Sequence, residues 1–566
     1  MNKVLVCLLA TLAGAGAALP AAAQDVAALD QAPVVIAPAK SDLAQTIKDG
    51  LSAAYAGATE GTAAHSEAQK LYFFYGERYF EPIWLDQGTD GKVSFSATAE
   101  KILALFKSAN AEGLRPADYL TPDLDPAAAV GNPAAFAELE TAFSRATMRY
   151  ARHIYSGRLD PRSVDTNLDL PPKQLDEASL LIELASANDP VAVIAKLQPT
   201  HPEFLALKAA LASFGAGAEP KATLIAGGPT LKPGMSDPRV PAIRQRLELP
   251  AAGESTLYDD SLAQAMMTFQ AEAELHVDGV LGPATLAALN GGQPVTREEI
   301  IANMERWRWM PRDMGDFHVL VNIPEFRLSI NRGNTEEYTT RVVVGTPENS
   351  TPIFSDSIRH VVVNPYWNVP SSITNGEIAP QVLANPSYLD ANNYDLIYQG
   401  DVVSPWQVNW YAVGDSFPFK VRQRPGPGNA LGQIKFLFPN KHDVYLHDTP
   451  SKALFARDVR AFSHGCVRVE NPMEFADALM ANEPNINRAS LEAMFGPSER
   501  WVNPEQRIPV HLAYFTVRPQ DDGSLKGFGD IYGHNAKVIE ALGLRAPPLD
   551  PAIVAAVESV QQAPAP

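Results

Sequence analysis

Tyr445-Leu446-His447-Asp448-Thr449-Pro450 and Ser463-His464-Gly465-Cys466-Val467-Arg468-Val469-Glu470-Asn471 are the two stretches on which the reading of this chain turns. The first closes the run Val444-Tyr445-Leu446-His447, which reads as a β-strand. Upstream lie three similar runs, Val319-Leu320-Val321-Asn322-Ile323, Arg341-Val342-Val343-Val344 and His360-Val361-Val362-Val363. Pro, Gly and Asn turns separate them, so a β-rich domain is predicted over 316–518. Within it, residues 376–420 break the strand rhythm and carry many Asn, Tyr and Trp residues, and they read as an inserted loop or lid. Trp406 and Trp410 are expected to build the core of that lid.

The chemistry of these stretches centres on sulfur. The 566-residue chain has two cysteines, Cys7 and Cys466. Met1-Asn2-Lys3, an apolar run from Val4 to Leu19 and the small residues Ala21-Ala22-Ala23 form a secretory signal pattern, so residues 1–23 are expected to be removed near Ala23. Cys466 is then the sole thiol of an exported protein. Oxidising compartments favour paired cysteines, and an unpaired one is either a small buried hydrophobe or a reactive group. A thiol attacks carbonyls as its thiolate, so it needs a base beside it. His464 is two residues away, a separation that often points side chains apart. His447 lies 19 residues upstream at the end of a predicted strand and can approach across a sheet. His447 is therefore assigned as the base and His464 as a supporting residue. Tyr445 shares the face of His447 by strand alternation and is expected to line the pocket.

Composition narrows the partners. The net charge is −19, and loss of Lys3 with the signal takes it to −20, a balance that argues against nucleic acid or anionic membrane. No segment after the signal approaches the ~20 apolar residues of a membrane span. No HExxH, CxxC or EF-hand pattern is present, so no metal and no cofactor is expected.

Outward from the β-rich domain, residues 24–45 are Ala-, Pro- and Asp-rich and read as a flexible N-terminus. Helical spacing dominates 46–228: apolar residues recur through Lys101–Ala109 with Gly113 at a C-cap position, and Ala-rich runs follow at 133–147 and 203–216. No chemical constellation appears there, and it reads as a helical scaffold domain. Pro and Gly at 228–238 mark a boundary. A compact module at 229–292 follows, with short amphipathic helices and Thr285 placed to begin or cap the last. Thr296 and Glu299 then form a capping box, with Val295 and Ile300 as a staple, starting a helix in 293–315 that returns to the scaffold. Residues 519–566 read as a C-terminal extension whose last part, from Ala546, is Pro/Ala-rich and expected to be disordered.

Residues 316–518 resemble the catalytic domain of L,D-transpeptidases, cysteine enzymes that cross-link peptidoglycan, whose pattern is a histidine followed by a small residue and Thr, then Ser-x-Gly-Cys-x-Arg. Gly345-Thr346-Pro347 with Thr351-Pro352 matches a family turn between strands. The order of Val240 through Leu247, Phe269-Gln270 and Asp278-Gly279-Val280-Leu281-Gly282-Pro283-Ala284-Thr285 resembles a three-helix peptidoglycan-binding module. Over 45–540 the chain is similar to the large periplasmic subclass of these enzymes. The implied fold class is multidomain α+β: a helical scaffold, the small three-helix module, and a β-rich catalytic domain with a lid insertion.

What the resemblance implies for function is specific. Cys466 attacks the carbonyl joining the third stem residue, a diamino acid, to the terminal D-Ala of a tetrapeptide. His447 serves as general base and acid. The backbone carbonyl of Asp448 orients His447, although an acidic side chain there departs from the commoner Gly or Ser and is an alternative source of imidazole basicity. The backbone N–H groups around Gly465 and Cys466 hold the oxyanion, and Gly465 allows close approach. Arg468, Ser463, His464 and Tyr445 are expected at the substrate: Arg468 as a planar donor for a carboxylate or carbonyl, Ser463 also as a shaper of the loop. Partners are peptidoglycan stem peptides, a tetrapeptide donor and a diamino-acid acceptor amine, with other cell-wall synthesis proteins besides. The expected product is a cross-link between two third residues, in the periplasm, serving cell-wall biogenesis and remodelling. A carboxypeptidase using water, a lipoprotein lysine as acceptor, and a non-catalytic wall-binding scaffold are the competing readings.

Overall fold

In the computed structural model, residues 36–214, 225–251, 253, 255–273, 275–290, 295–413, 417–484 and 486–544 are described. The expected signal peptide, most of the N-terminal stretch expected to be flexible and the tail expected to be disordered lie outside the described residues. The chain divides into two compact units, 1–82 and 83–566.

The first unit holds two helices, Asp42–Gly57 and Ala63–Glu77, whose N-termini are capped by the hydroxyls of Ser41 and Thr62. Helix therefore begins inside the 24–45 stretch read as flexible: the Ser41 cap and the first-turn carboxylate of Asp42 favour it locally.

The second unit begins with a hairpin, Leu85–Gln87 paired with Val93–Phe95, that the helical reading did not contain. Helices Ala97–Lys107, Pro133–Ser156, Glu177–Ser186 and Pro202–Ser213 follow. Gly113, at φ 68°, ends a 3-10 turn rather than the helix before it. The module after the boundary has three helices, Val240–Arg246, Asp260–Glu272 and Pro283–Leu289, around its own core of Ile243, Tyr258, Leu262 and Met266. Thr285 does not cap the last of them. Gly282 is the N-cap, and the Thr285 hydroxyl accepts from Gln270 Nε2 at 3.2 Å in the interior.

Helix Arg297–Trp309 starts with the capping box of Thr296 and Glu299, a device typically worth about 1 kcal/mol. Every residue from Ile300 to Trp309 is buried, including Glu305, Arg306 and Arg308. Glu305 accepts from the backbone N–H of Arg158 and Leu159, and Arg306 donates to Asn535 in helix His534–Ala541. One buried helix thus ties the scaffold to the C-terminal extension and to the sheet domain.

Among the described residues, the main sheet of this domain has eleven strands: β1 Phe317–Asn322, β2 Arg327–Arg332, β3 Thr335–Gly345, β4 Phe354–Ile358, β5 His360–Val363, β6 Ile434–Leu437, β7 Leu446–His447, β8 Ala461–Ser463, β9 Val467–Val469, β10 Arg500–Val502 and β11 Ile508–Ala513. Their order is β10-β5-β6-β7-β9-β3-β2-β1-β11-β4, with β8 beside β3. The pairs β7–β9, β8–β3 and β1–β11 are parallel and the rest antiparallel. The predicted strand Val444–His447 is cut to two residues. Asn440 captures the N–H of Val444, and Asp443 sits in the left-handed region at φ 54°, so ladder pairing starts only at Leu446.

The insertion is larger and more ordered than a loop over 376–420. Trp367–Asn368, Tyr394–Tyr398, Asp401–Val403 and Lys420–Gln423 form a separate four-stranded sheet. With the short helices between 371 and 391 they enclose a core of Ile378, Val382, Leu389, Leu396 and Val421. Trp410 packs against that core, whereas Trp406 is 68% exposed and does not build it.

Candidate active site

Register brings the two sequence stretches together. In the parallel pair β7–β9, Leu446 faces Val467 and His447 faces Arg468, which sets His447 on the strand next to the one that Cys466 immediately precedes. His447 is only 4% exposed. Its Nδ1 lies 2.5 Å from the carbonyl oxygen of Asp448. A carbonyl can only accept, so Nδ1 carries the proton and Nε2 keeps a lone pair. Burial, with help from the cations Arg468, Lys435 and Lys452, pushes His447 down to about 3. The imidazole is neutral throughout the physiological range.

The Asp448 side chain faces away from the imidazole's chemistry. One carboxylate oxygen accepts from Gln433 N at 2.9 Å, and the other from Thr449 N and Lys452 Nζ at 2.7 Å. Gly432, at φ 60°, makes room for it: a Cβ there would sit 2.2 Å from the carboxylate. The carboxylate therefore clamps the turn that aims its own carbonyl at His447, and does not supply basicity directly.

Cys466 is half-buried. Burial pushes its thiol up to about 11, against the opposing pull of the Tyr445 N–H, the Tyr445 hydroxyl and the Arg468 guanidinium, all of which favour the thiolate. The thiol donates to the carbonyl of Asp443 at 3.7 Å. Among the described residues it makes no hydrogen bond to His447. Such bonds are often long in unliganded enzymes and tighten when substrate is bound. Tyr445 stands edge-on to His447, ring centroids 5.7 Å apart, and its hydroxyl is shared between Cys466 and the indole of Trp367, a residue of the insertion.

The loop before Cys466 departs from two expectations. Gly465 N–H donates to Ser463 Oγ at 3.1 Å and so is not free to hold an oxyanion. The Ser463 hydroxyl in turn donates to the Cys466 carbonyl at 2.5 Å, so it shapes the loop and is not available to substrate. What Gly465 contributes is its conformation, φ 111°, which a side chain would strain. The Cys466 N–H takes no acceptor among the described residues and is left as the backbone donor at the nucleophile. Thr351, from the Gly345–Pro352 turn, pins the loop from behind: its hydroxyl donates to Gly465 O at 2.8 Å and accepts from Gly345 N.

Arg468 and His464 diverge. The Arg468 Nη1 is buried without a hydrogen-bond partner among the described residues. Burial lowers its basicity and the nearby sulfur raises it. An unpartnered buried guanidinium beside a nucleophile is a ready receptor for a carboxylate or carbonyl. His464 instead reaches the insertion, with Nε2 2.8 Å from Oε1 of Glu377.

Three groups escaped sequence reasoning. Lys435, opposite His447 across β6–β7, is buried and its basicity is lowered by burial. Trp367 and Glu377 come from the insertion. Asp169, in the helical half, ion-pairs with Lys441 at 2.8 Å and hydrogen-bonds His442 at 2.8 Å and Arg162. Burial pushes Asp169 up, but these partners outweigh it and hold it at about 2. The backbone of Asn167 and Asp169 also bonds Ile353. A scaffold segment thereby grips the 440–443 loop whose last carbonyl receives the thiol. A cavity of about 290 Å³, lined by residues including Gln433, Asp448, Lys452 and Glu470, has neither Cys466 nor His447 in its wall.

Comparison with known proteins places these features. Residues 316–486 match the YkuD model, the L,D-transpeptidase catalytic domain. Residues 238–289 match a model described as "Putative peptidoglycan binding domain", and 69–211 match a scaffold domain. A Haemophilus influenzae protein named "Putative L,D-transpeptidase" is 35% identical over 245 residues, 43% of this chain and 49% of its own length. The chain thus spans about half the length of the curated relative it matches. Among solved structures, an L,D-transpeptidase from Xylanimonas cellulosilytica is 16% identical, covering 51% of this chain and 99% of its own, with a TM-score of 0.18. One from Mycobacterium smegmatis is 12% identical, covering 35% and 58%, also with a TM-score of 0.18. Superpositions this weak bear on neither fold nor chemistry. An L,D-transpeptidase catalytic domain and a peptidoglycan-binding domain are present in the chain.

Proposed function

We propose that this chain, built on an L,D-transpeptidase catalytic domain, cross-links peptidoglycan stems through a thioester on Cys466. Cys466 takes the third-residue carbonyl of a tetrapeptide donor and releases D-Ala. The observation that carries the reading is His447: buried, neutral, and held by the Asp448 carbonyl in the tautomer that leaves Nε2 open to a proton.

A thiol near 11 beside an imidazole near 3 is a neutral pair, not a preformed ion pair. Attack therefore moves the thiol proton to His447 Nε2 as the C–S bond forms. The Cys466 N–H receives the developing oxyanion, with Arg468 and Lys435 supplying positive field. His447 then returns the proton to the departing D-Ala amine. An amine of a second stem attacks the thioester, giving a link between two third residues. The export signal read at 1–23 supports action in the periplasm, and the 238–289 module supports attachment to the wall polymer.

The test uses purified full-length protein and a Cys466→Ala variant with disaccharide-tetrapeptide, products read by mass spectrometry. Dimers lacking one D-Ala, formed only with Cys466, are expected. Tripeptide monomers alone would make the protein a carboxypeptidase. No product and no adduct from either form would end the enzyme reading.

A further inference from the structure

Cross-linking needs a second substrate, and the inner side of the site is built against it. An acceptor amine arrives as an alkylammonium. Arg468 and Lys435 flank the sulfur with positive charge, which opposes a second cation, and the one imidazole there, His447, is committed to the proton that the sulfur gives up and takes back. Neither binding nor deprotonation of the acceptor is provided for there.

Both are provided where the insertion meets the nucleophile loop. His464 Nε2 and Glu377 Oε1 are 2.8 Å apart, with the side chains 44% and 48% exposed. Neither Glu377 Oε2 nor His464 Nδ1 makes a further hydrogen bond among the described residues. A latch whose only task was to hold the insertion down would gain from burial and from using its remaining lone pairs. This pair is half-open, two residues from Cys466, and presents one carboxylate oxygen and one imidazole nitrogen to solvent. Glu377 stands in a π-turn, Thr374–Ile378, an irregularity that is costly in a short helix and frequent at functional sites.

We propose that Glu377 and His464 form the acceptor subsite, which takes the alkylammonium of a diamino-acid side chain; this rests on the thioester reading above. The Glu377 carboxylate binds the cation. His464 accepts one proton from it and, being half exposed, passes that proton to water. The neutral nitrogen then attacks the thioester carbonyl: the C–N bond forms and the C–S bond breaks. The second N–H proton travels through His447 Nε2 to the departing sulfur. Ammonium and thioester have become amide, thiol and one released proton.

The subsite predicts a change in partitioning. Full-length protein and Glu377→Gln are given disaccharide-tetrapeptide, and the ratio of dimer to tripeptide is measured beside D-Ala release. The ratio is expected to fall about tenfold in Glu377→Gln, partial recovery in Glu377→Asp supporting the role of charge. An unchanged ratio overturns the subsite. So does a fall in D-Ala release by the same factor as the dimer, which would make Glu377 a support of the donor half-reaction. If wild-type protein forms no thioester, the Cys466 reading fails first and the subsite with it; thioester formation with an unmoved ratio sinks the subsite alone.

Discussion

His447 and His464 are both near the backbone of Cys466, yet they live in opposite environments. His447 is sealed in the sheet, its Nδ1 fixed by a carbonyl 2.5 Å away and its charged form suppressed by burial and three cations. His464 is open to water and paired with a carboxylate from the π-turn of the insertion. The difference teaches that one cysteine is served by two kinds of imidazole. A sealed neutral one suits a proton that moves a short distance within the reacting groups. An open one beside an acid suits a proton that must leave.

The largest effect should come from removing the sealed member. His447→Ala is expected to slow D-Ala release by roughly 10³-fold, within the range for a lost general base. His464→Ala should slow it far less and act mainly on the dimer-to-tripeptide ratio. Equal losses in D-Ala release would erase the division between them. Because His447 lies near 3 and the thiol near 11, wild-type D-Ala release at saturating donor should show no step between pH 6 and 7 that His447→Gln abolishes. A step of that kind assigned to His447 would show that the site holds it charged.

Next in size is Arg468. Arg468→Met removes an unpartnered buried cation, so donor binding should suffer: kcat/KM falling by about 10–100-fold, with a rise in KM. The same cation presses His447 down and favours the thiolate, so its loss should shift the pKa of both groups upward. A fall in kcat with KM unmoved would mean that Arg468 serves the sulfur only.

What could be read from the chain follows from how far each interaction reaches. The approach of His447 to the Cys466 loop and the Asp448 carbonyl on its Nδ1 were legible because the motif is local and the carbonyl belongs to the next residue. The oxyanion donors were half legible: nothing in Ser-His-Gly-Cys says that the Ser463 hydroxyl turns back onto Gly465 N–H and takes it out of use. Glu377, Trp367, Lys435 and Asp169 were not legible, since only the sheet order, the folded insertion and, for Asp169, the packing of a scaffold segment on the 440–443 loop bring them near the cysteine. Trp406 was misread because an aromatic-rich stretch reveals composition, and not which ring faces in; a 3-10 turn at Pro405–Gln407 leaves that one outside. The insertion's own sheet was missed because its strands have two to five residues.

Asp169 extends the contrast to the scaffold. Its carboxylate holds Lys441 and His442, and Asp443 next to them receives the thiol. Asp169→Asn should loosen that loop and lower kcat by about threefold to tenfold, KM being little changed, with Asp169→Glu restoring part of the loss. A change confined to thermal stability would reduce Asp169 to a structural brace.

The smallest effect concerns the sealed histidines as a class. His511 is buried like His447, and in its case both ring nitrogens are occupied: Nδ1 meets Ser355 Oγ and Nε2 meets the Met314 carbonyl. Burial pushes it down to about 4, and His447 to about 3. Unfolded, each would titrate near 6.5. Between those values the unfolded chain binds protons that the folded one refuses, so stability is full above about pH 6.5 and declines as pH falls toward 4. Each such histidine contributes a slope of order 1 kcal/mol per pH unit across that window. Melting followed from pH 7.5 to 4.5 should show Tm dropping, and His447→Gln should flatten the drop even though it abolishes efficient catalysis. A variant that melts with the wild-type slope would mean that His447 is charged in the folded protein, and the sealed imidazole at the centre of the comparison would have to be given up.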